Sequence, residues 1–158
     1  MKLRIDYANV ASGALHAMLG LERYVREQTE LEPEMIELVK LRASQINGCA
    51  YCLDMHTKDA RALGMSEQRL YLLSAWREAP FYSDRERAAL AWTEALTLIS
   101  THGVSDALYD EARQQFSEKE LVDLTMAVNT INSWNRLAIS FRPEVGSYQT
   151  PAKHDVSA

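Results

Sequence analysis

Cys49 and Cys52 are the only cysteines of the chain, spaced as Cys49-Ala50-Tyr51-Cys52, and His56 follows four positions after the second. Residues four apart share a helix face, so a helix here sets the imidazole beside the Cys52 thiol. Thiols three apart can form and break a disulfide within one turn of backbone. The thiolate is the reactive form of cysteine, and an adjacent base is what produces it. The leading chemistry is thiol redox. Twelve positions before Cys49 stands Glu37, off the apolar stripe of its own segment and heading a row through Leu41 and Ser44 to Gly48. A carboxylate there can point at the cysteine helix if the chain folds back at Asn47-Gly48. Spacing alone gives Glu37 a plainer role first, as a solvated residue or a partner of Lys40 or Arg42.

A Cys-x-x-Cys pair also serves metal and haem sites. Haem attachment needs histidine directly after the second cysteine, and Leu53 stands there. A zinc centre would have to draw on Cys49, Cys52, His56 and Glu37, because the second Cys-x-x-Cys hook of a usual structural site is missing. A thioredoxin-type site needs a βαβ context, and two inert buried thiols are the bland alternative. Helix geometry favours redox over these. Cys49 falls at a helix N-terminus, where free N–H groups and the macrodipole stabilise a thiolate. Cys52 has the base.

The elements that must position these groups read as helices throughout. Apolar residues recur with a period near 3.6 over 9–28 (Ala14, Leu15, Met18, Leu19) and over 33–47 (Met35, Ile36, Val39, Ala43, Ile46). Pro33 suits a first helical position, and Asn47-Gly48 suits a helix end. The cysteine helix should then run to Leu63. Further helices are expected over 67–76, over 84–100 behind a Ser83/Glu86 capping box, over 106–115, and from a second box, Ser117/Glu120, to just before Arg142-Pro143. No run alternates with period two. The fold class is all-α, a bundle of about seven helices with the Cys-x-x-Cys at the N-terminus of a central helix. Residues 1–146 read as one domain, and 147–158 as a polar tail that is loose or docks on a neighbour.

Composition narrows the function classes. A net charge of −5 with no basic run argues against nucleic acid as a partner. No segment approaches the roughly 18 apolar residues of a membrane span, and Met1-Lys2-Leu3-Arg4-Ile5-Asp6 lacks the apolar core of a secretory signal. A cytoplasmic location is expected. In that reducing compartment a close cysteine pair is catalytic or metal-binding rather than a structural staple.

Glu37, eleven residues, Cys49-Ala50-Tyr51-Cys52, three residues and His56 resemble the Glu-x11-Cys-x-x-Cys-x3-His core of AhpD-like alkylhydroperoxidases, in the carboxymuconolactone decarboxylase superfamily. Ile46-Asn47-Gly48-Cys49, Asp54-Met55-His56 and the segment from Asn129 to Arg136 extend the resemblance over about 31–142. It implies an AhpD-like helical bundle and a peroxidase that needs no cofactor or metal. Cys52 attacks the hydroperoxide, Cys49 resolves the sulfenic acid to a disulfide, and His56 with Glu37 forms the proton relay. A thiol or disulfide-reductase partner supplies the electrons, and the assembly is a homo-oligomer, a trimer or hexamer. The sequence departs from the best-known members at Tyr51, where they carry a histidine; a phenol can donate a hydrogen bond but is a poor base near neutral pH. The rival readings are a decarboxylase of the same superfamily and a non-enzymatic redox sensor. Elsewhere, His102 suits a helix C-cap; His16 and His154 suggest no site. Trp76, Trp92, Trp134, Tyr71, Tyr82 and Phe81 read as core or interface anchors, and Asn132, Trp134 and Arg136 read as packing residues that can also line a pocket above the cysteines.

Overall fold

The computed structural model describes residues 2–150, and every regular element among them is helical. The order is α1 (Tyr7–Val10), α2 (Ser12–Glu27), α3 (Pro33–Asn47), α4 (Ala50–Ala62), α5 (Glu67–Leu72) with a 3-10 turn over Leu73–Ala75, α6 (Asp84–Thr97), α7 (Ile99–His102), α8 (Asp106–Gln115) and α9 (Glu118–Phe141). The expected seven helices are present, with two single turns added. The expected 9–28 helix begins earlier, where the Asp6 side chain caps α1, and is interrupted at Ala11 (φ −138°, ψ 50°) beside the weak helix formers Ser12 and Gly13. The expected 84–100 helix breaks at Leu98 (φ −106°, ψ 31°), and its last turn becomes α7.

Helix α3 organises the bundle by packing against α4, α6 and α9. Its stripe Met35, Ile36 and Val39 joins Val25 of α2, Trp92 of α6, Phe116 and the α9 residues Leu121, Leu124 and Val128 in one core. Leu38 and Leu41 face the opposite way, into a second core with Ala60, Leu73, Trp76 and Leu90. Every residue from Met35 to Leu41 is therefore buried, Glu37 and Lys40 included. A helix buried all round must pair its polar side chains inside the protein, and this one does so at the cysteines and at α2.

Local signals set the ends of these elements as the sequence requires. Pro33 opens α3, and the Ser83/Glu86 and Ser117/Glu120 boxes both form. Gly48 ends α3 in the left-handed region (φ 69°), and the Cys49 N–H turns back to the Ser44 carbonyl at 3.0 Å. Only Gly48 and Cys49 separate α3 from α4, so the two helices fold back on each other. The first part of the 147–158 tail returns to its own chain: the Tyr148 hydroxyl donates to Asp59 Oδ1 at 2.8 Å and Lys58 Nζ donates to the Tyr148 carbonyl at 2.9 Å. The rest of that tail, His154 and the His102 side chain lie outside the described residues. Tyr71 and Phe81 stand exposed on the surface, whereas Trp76, Trp92 and Tyr82 are core residues.

Candidate active site

Cys49 is the N-cap of α4, and its sulfur accepts from the Cys52 backbone N–H at 3.4 Å. One turn on, the Cys52 sulfur stands 2.7 Å from that of Cys49; both thiols are free and both residues are buried. The separation is well beyond the roughly 2.05 Å of a disulfide bond. Buried at this distance, the two sulfurs hold a single proton between them on first ionisation. The charge settles on Cys49. Donation by the Cys52 thiol outweighs the opposing effect of burial there, and the Cys52 and Tyr51 backbone N–H groups and the Asn135 amide assist, holding the Cys49 thiol down to about 7. The Cys52 thiol is pushed up by the adjacent Cys49 sulfur and by burial. The Cys52 thiol, helped by the N–H groups of the helix end, thus sets the resting charge on Cys49.

His56 lies on α4 one turn beyond Cys52, and its Nδ1 stands 2.7 Å from Glu37 Oε2, with both side chains buried. Glu37 is neither solvated nor paired with Lys40 or Arg42, the plainer role that spacing alone gives it. Lys40 instead meets Glu22 of α2, and Arg42 meets Glu94 of α6 at 2.7 Å. Burial pushes the Glu37 carboxyl up, but the His56 hydrogen bond, with the charges of Lys40 and Arg26 behind it, outweighs this and holds the carboxyl below its ordinary value. An ionised Glu37 fixes the proton on Nδ1 and leaves Nε2 as the nitrogen free to accept one. The four residues singled out in the sequence are brought together in this way as two pairs, both carried by the α3–α4 hairpin.

A cavity of about 210 Å³ opens onto one sulfur only. Its wall includes Cys52, His56, Tyr51 and Met55 of α4, Tyr7 of α1, Leu19, Glu22 and Arg26 of α2, and Trp134 and Ala138 of α9. Cys49 instead borders a separate hollow with Gly48, Leu3 and the turn from Arg142 to Val145. Of the three α9 residues expected near the cysteines, Trp134 lines the cavity and donates from Nε1 to Glu22 at 3.2 Å. Asn132 is a packing residue held by Asn47 and Thr97, and Arg136 bonds to the Asn132 carbonyl.

One α9 residue that acts on the sulfurs is missed by sequence reading. Asn135 is 1% exposed; it accepts from Asn47 Nδ2 at 2.8 Å, donates to Ser44 Oγ at 3.0 Å and lowers the affinity of both sulfurs for a proton. Its signal was an amide set into the otherwise apolar row Leu124, Val128, Ile131, Asn135, Ala138, an expensive placement unless it has partners. Asp59 was also missed. Its Oδ2 is buried without a hydrogen-bond partner, with an Arg26 nitrogen 3.7 Å away. Among the described residues, Glu37, His56 and Asp59 have ligand-type atoms within 4.8 Å of one another. The sulfurs are outside that group, so the zinc set of Cys49, Cys52, His56 and Glu37 does not assemble.

Residues 13–95, more than half of the chain, match the carboxymuconolactone decarboxylase family model. The chain belongs to the carboxymuconolactone decarboxylase family. Within it the protein is AhpD-like. It is 46% identical to an Agrobacterium tumefaciens protein of unknown function, named as a candidate antioxidant defence protein AhpD, whose crystal structure superposes with a TM-score of 0.89 over 93% of this chain and all of that one. The uncharacterized protein YdfG of Bacillus subtilis is 45% identical over 140 residues, 89% of this chain and 95% of YdfG. An uncharacterized peroxidase-related protein from Silicibacter sp. TM1040, at 24% identity, shares the fold with a TM-score of 0.73 over 82% of this chain and 69% of its own. The family match begins at residue 13, so Tyr7 of this AhpD-like protein comes from a segment ahead of it.

Proposed function

We propose that the protein is a thiol-dependent peroxidase that reduces hydroperoxides through the Cys49–Cys52 pair, with His56 and Glu37 as its proton relay. One observation carries this reading: the sulfur bordering the cavity shares that wall with a histidine held by a buried carboxylate, and a second, readily ionised sulfur stands 2.7 Å from it. In the first step His56 Nε2 takes the Cys52 proton, and the thiolate attacks the terminal oxygen of the hydroperoxide. An S–O bond forms and the O–O bond breaks. Sulfur is oxidised to a sulfenic acid, and the alkoxide leaves as the alcohol once it is protonated. In the second step the Cys49 thiolate displaces hydroxide from the Cys52 sulfenic acid, a proton converts it to water, and the disulfide results. Overall, two thiols and one hydroperoxide give one disulfide, one alcohol and one water. An external dithiol returns the two electrons and two protons.

Cys49 is suited to resolving, since its charge at rest is ready for the second step and its sulfur does not border the oxidant cavity. Among the described residues no helix is long and apolar enough to cross a membrane. The α2 residues Leu15, Met18 and Leu19 remain outside the core, and only Val25 of that helix is buried, which supports assembly into a homo-oligomer.

The deciding assay follows organic hydroperoxide consumption coupled to a dithiol. Wild type should turn over and Cys52→Ser should not, while Cys49→Ser should complete its first oxidation and stop at the sulfenic acid. Full turnover by Cys52→Ser would refute the assignment of the attacking sulfur. A wild type that exchanges disulfides but consumes no hydroperoxide would refute the peroxidase reading.

A further inference from the structure

The relay described above handles the proton on sulfur, but the departing alkoxide also needs a proton, and it forms on the far side of the attacked oxygen. Two phenols border the cavity that would hold it. Tyr51 and Tyr7 border the same space as Cys52 and His56, and both are partly buried. Among the described residues neither hydroxyl has a hydrogen-bond partner, whereas Tyr24, Tyr82 and Tyr148 each donate to an oxygen. Both hydroxyls therefore keep their donors free of the protein's own acceptors, on residues of the wall that carries the nucleophile.

The position of Tyr7 is built rather than incidental. The segment carrying it is tied across the end of α9: the Arg4 N–H donates to the Phe141 carbonyl at 2.9 Å and the Arg4 guanidinium donates to the Ser140 carbonyl at 3.1 Å. The Tyr7 ring then packs on Phe141 with centroids 5.7 Å apart, and Asp6 caps the short helix behind it. Burial and the neighbouring Tyr51 and Cys52 push the Tyr7 hydroxyl up, and burial with Cys52 does the same to Tyr51, so both stay protonated donors at neutral pH.

Resting on the peroxidase reading, we propose that Tyr7 and Tyr51 are catalytic residues that together hydrogen-bond the leaving oxygen of the hydroperoxide and protonate it as the O–O bond breaks. The proton passes from a phenol to the alkoxide, giving the alcohol. The phenolate then recovers the proton that His56 drew from the Cys52 thiol, so the step as a whole moves one proton from sulfur to oxygen. The tyrosine between the cysteines and the tyrosine of the N-terminal segment thereby form a two-donor clamp over the attacked bond. Donors aimed at a developing oxyanion act only in the transition state.

The test is single-turnover oxidation of the full-length protein in wild type, Tyr7→Phe, Tyr51→Phe and the double variant. Phenylalanine keeps each ring, including the Tyr7 packing on Phe141. Two hydroperoxides are used: an alkyl hydroperoxide, whose leaving group is strongly basic, and a peroxycarboxylic acid, whose leaving carboxylate needs no proton. Alkylation of the thiols at the same pH is the control, since it involves no leaving oxygen. Each single variant should lose roughly 10–10²-fold with the alkyl hydroperoxide, keep most of its rate with the peroxy acid, and alkylate at the wild-type rate. Unchanged alkyl hydroperoxide rates, or equal losses with both oxidants, would overturn the clamp while leaving the peroxidase reading intact. A wild type oxidised by neither reagent would overturn the peroxidase reading itself and the clamp with it.

Discussion

Replacing Cys49 with serine should abolish the one easily ionised thiol of the protein, although the replaced sulfur is not the one bordering the cavity. In the wild type the Cys49 thiol is held down to about 7, so close to half of it is thiolate at neutral pH. An ordinary cysteine with a pKa near 8.5 is only about 3% ionised there. In Cys49→Ser, Cys52 loses the sulfur that competes with it for the proton but keeps its burial, which alone pushes its thiol up. The thiolate content at pH 7 should therefore fall from about half an equivalent to no more than about 3%, a loss of roughly 15-fold or greater. The complementary variants grade the cause. Cys52→Ala removes the donor that contributes most to the Cys49 shift, whereas Cys52→Ser retains a hydroxyl in its place, so the midpoint should rise further in the alanine variant. The assay is ultraviolet titration of the thiolate on reduced protein, checked by the pH dependence of alkylation. A midpoint near 7 that survives in Cys49→Ser would place the low-pKa thiol at Cys52 and refute the assignment of the resting charge to Cys49.

Other expectations concern the frame around the site. Glu22→Leu leaves the fully buried Lys40 without its carboxylate, which should cost roughly 3–5 kcal/mol in denaturant unfolding. Burial raises the Glu22 carboxyl, but Lys40 and Arg26 prevail and hold it at about 2. Because the unfolded chain takes up that proton first, stability should fall by roughly 3 kcal/mol as the pH drops from about 4.5 towards 2, and Lys40→Met should flatten this loss. Tyr148→Phe removes the hydroxyl that donates to buried Asp59, whose other oxygen already has no hydrogen-bond partner, and should destabilise the fold by about 1–3 kcal/mol in the same experiment. Light scattering should show a trimer or hexamer that Leu15→Glu on α2 dissociates; a monomeric wild type would refute the assembly.

The reactive centre was legible because its parts lie close in sequence. Cys49, Cys52 and His56 fall within two turns of one helix, and Gly48 with its left-handed backbone marks the fold-back to Glu37. Even so, spacing alone gave Glu37 the role of a solvated or ion-paired residue, because an amphipathic pattern does not reveal that α3 is enclosed on every side. The cavity was much less legible. Its walls come from α1, α2 and α9 as well as α4, and which side chains of distant helices meet depends on packing angles that no local pattern encodes. Tyr7 was hidden for that reason, on a single turn too short to register as a helix. Asn135 was easier to find, since a buried amide in an apolar helical row announces an unmet need for partners. The tail carried the least signal: nothing in residues 147–150 hinted that Tyr148 would seek out Asp59.

The central claim is that these two sulfurs form one redox couple driven by a hydroperoxide. Its most direct test is intact-mass and peptide-mapping analysis of the reduced protein after one equivalent of an organic hydroperoxide. The account predicts the loss of two hydrogen atoms and a Cys49–Cys52 crosslink in the wild type, with a trapped sulfenic acid at Cys52 in Cys49→Ser. Thiols that remain free, or a sulfenic acid that appears only on Cys49, would contradict it.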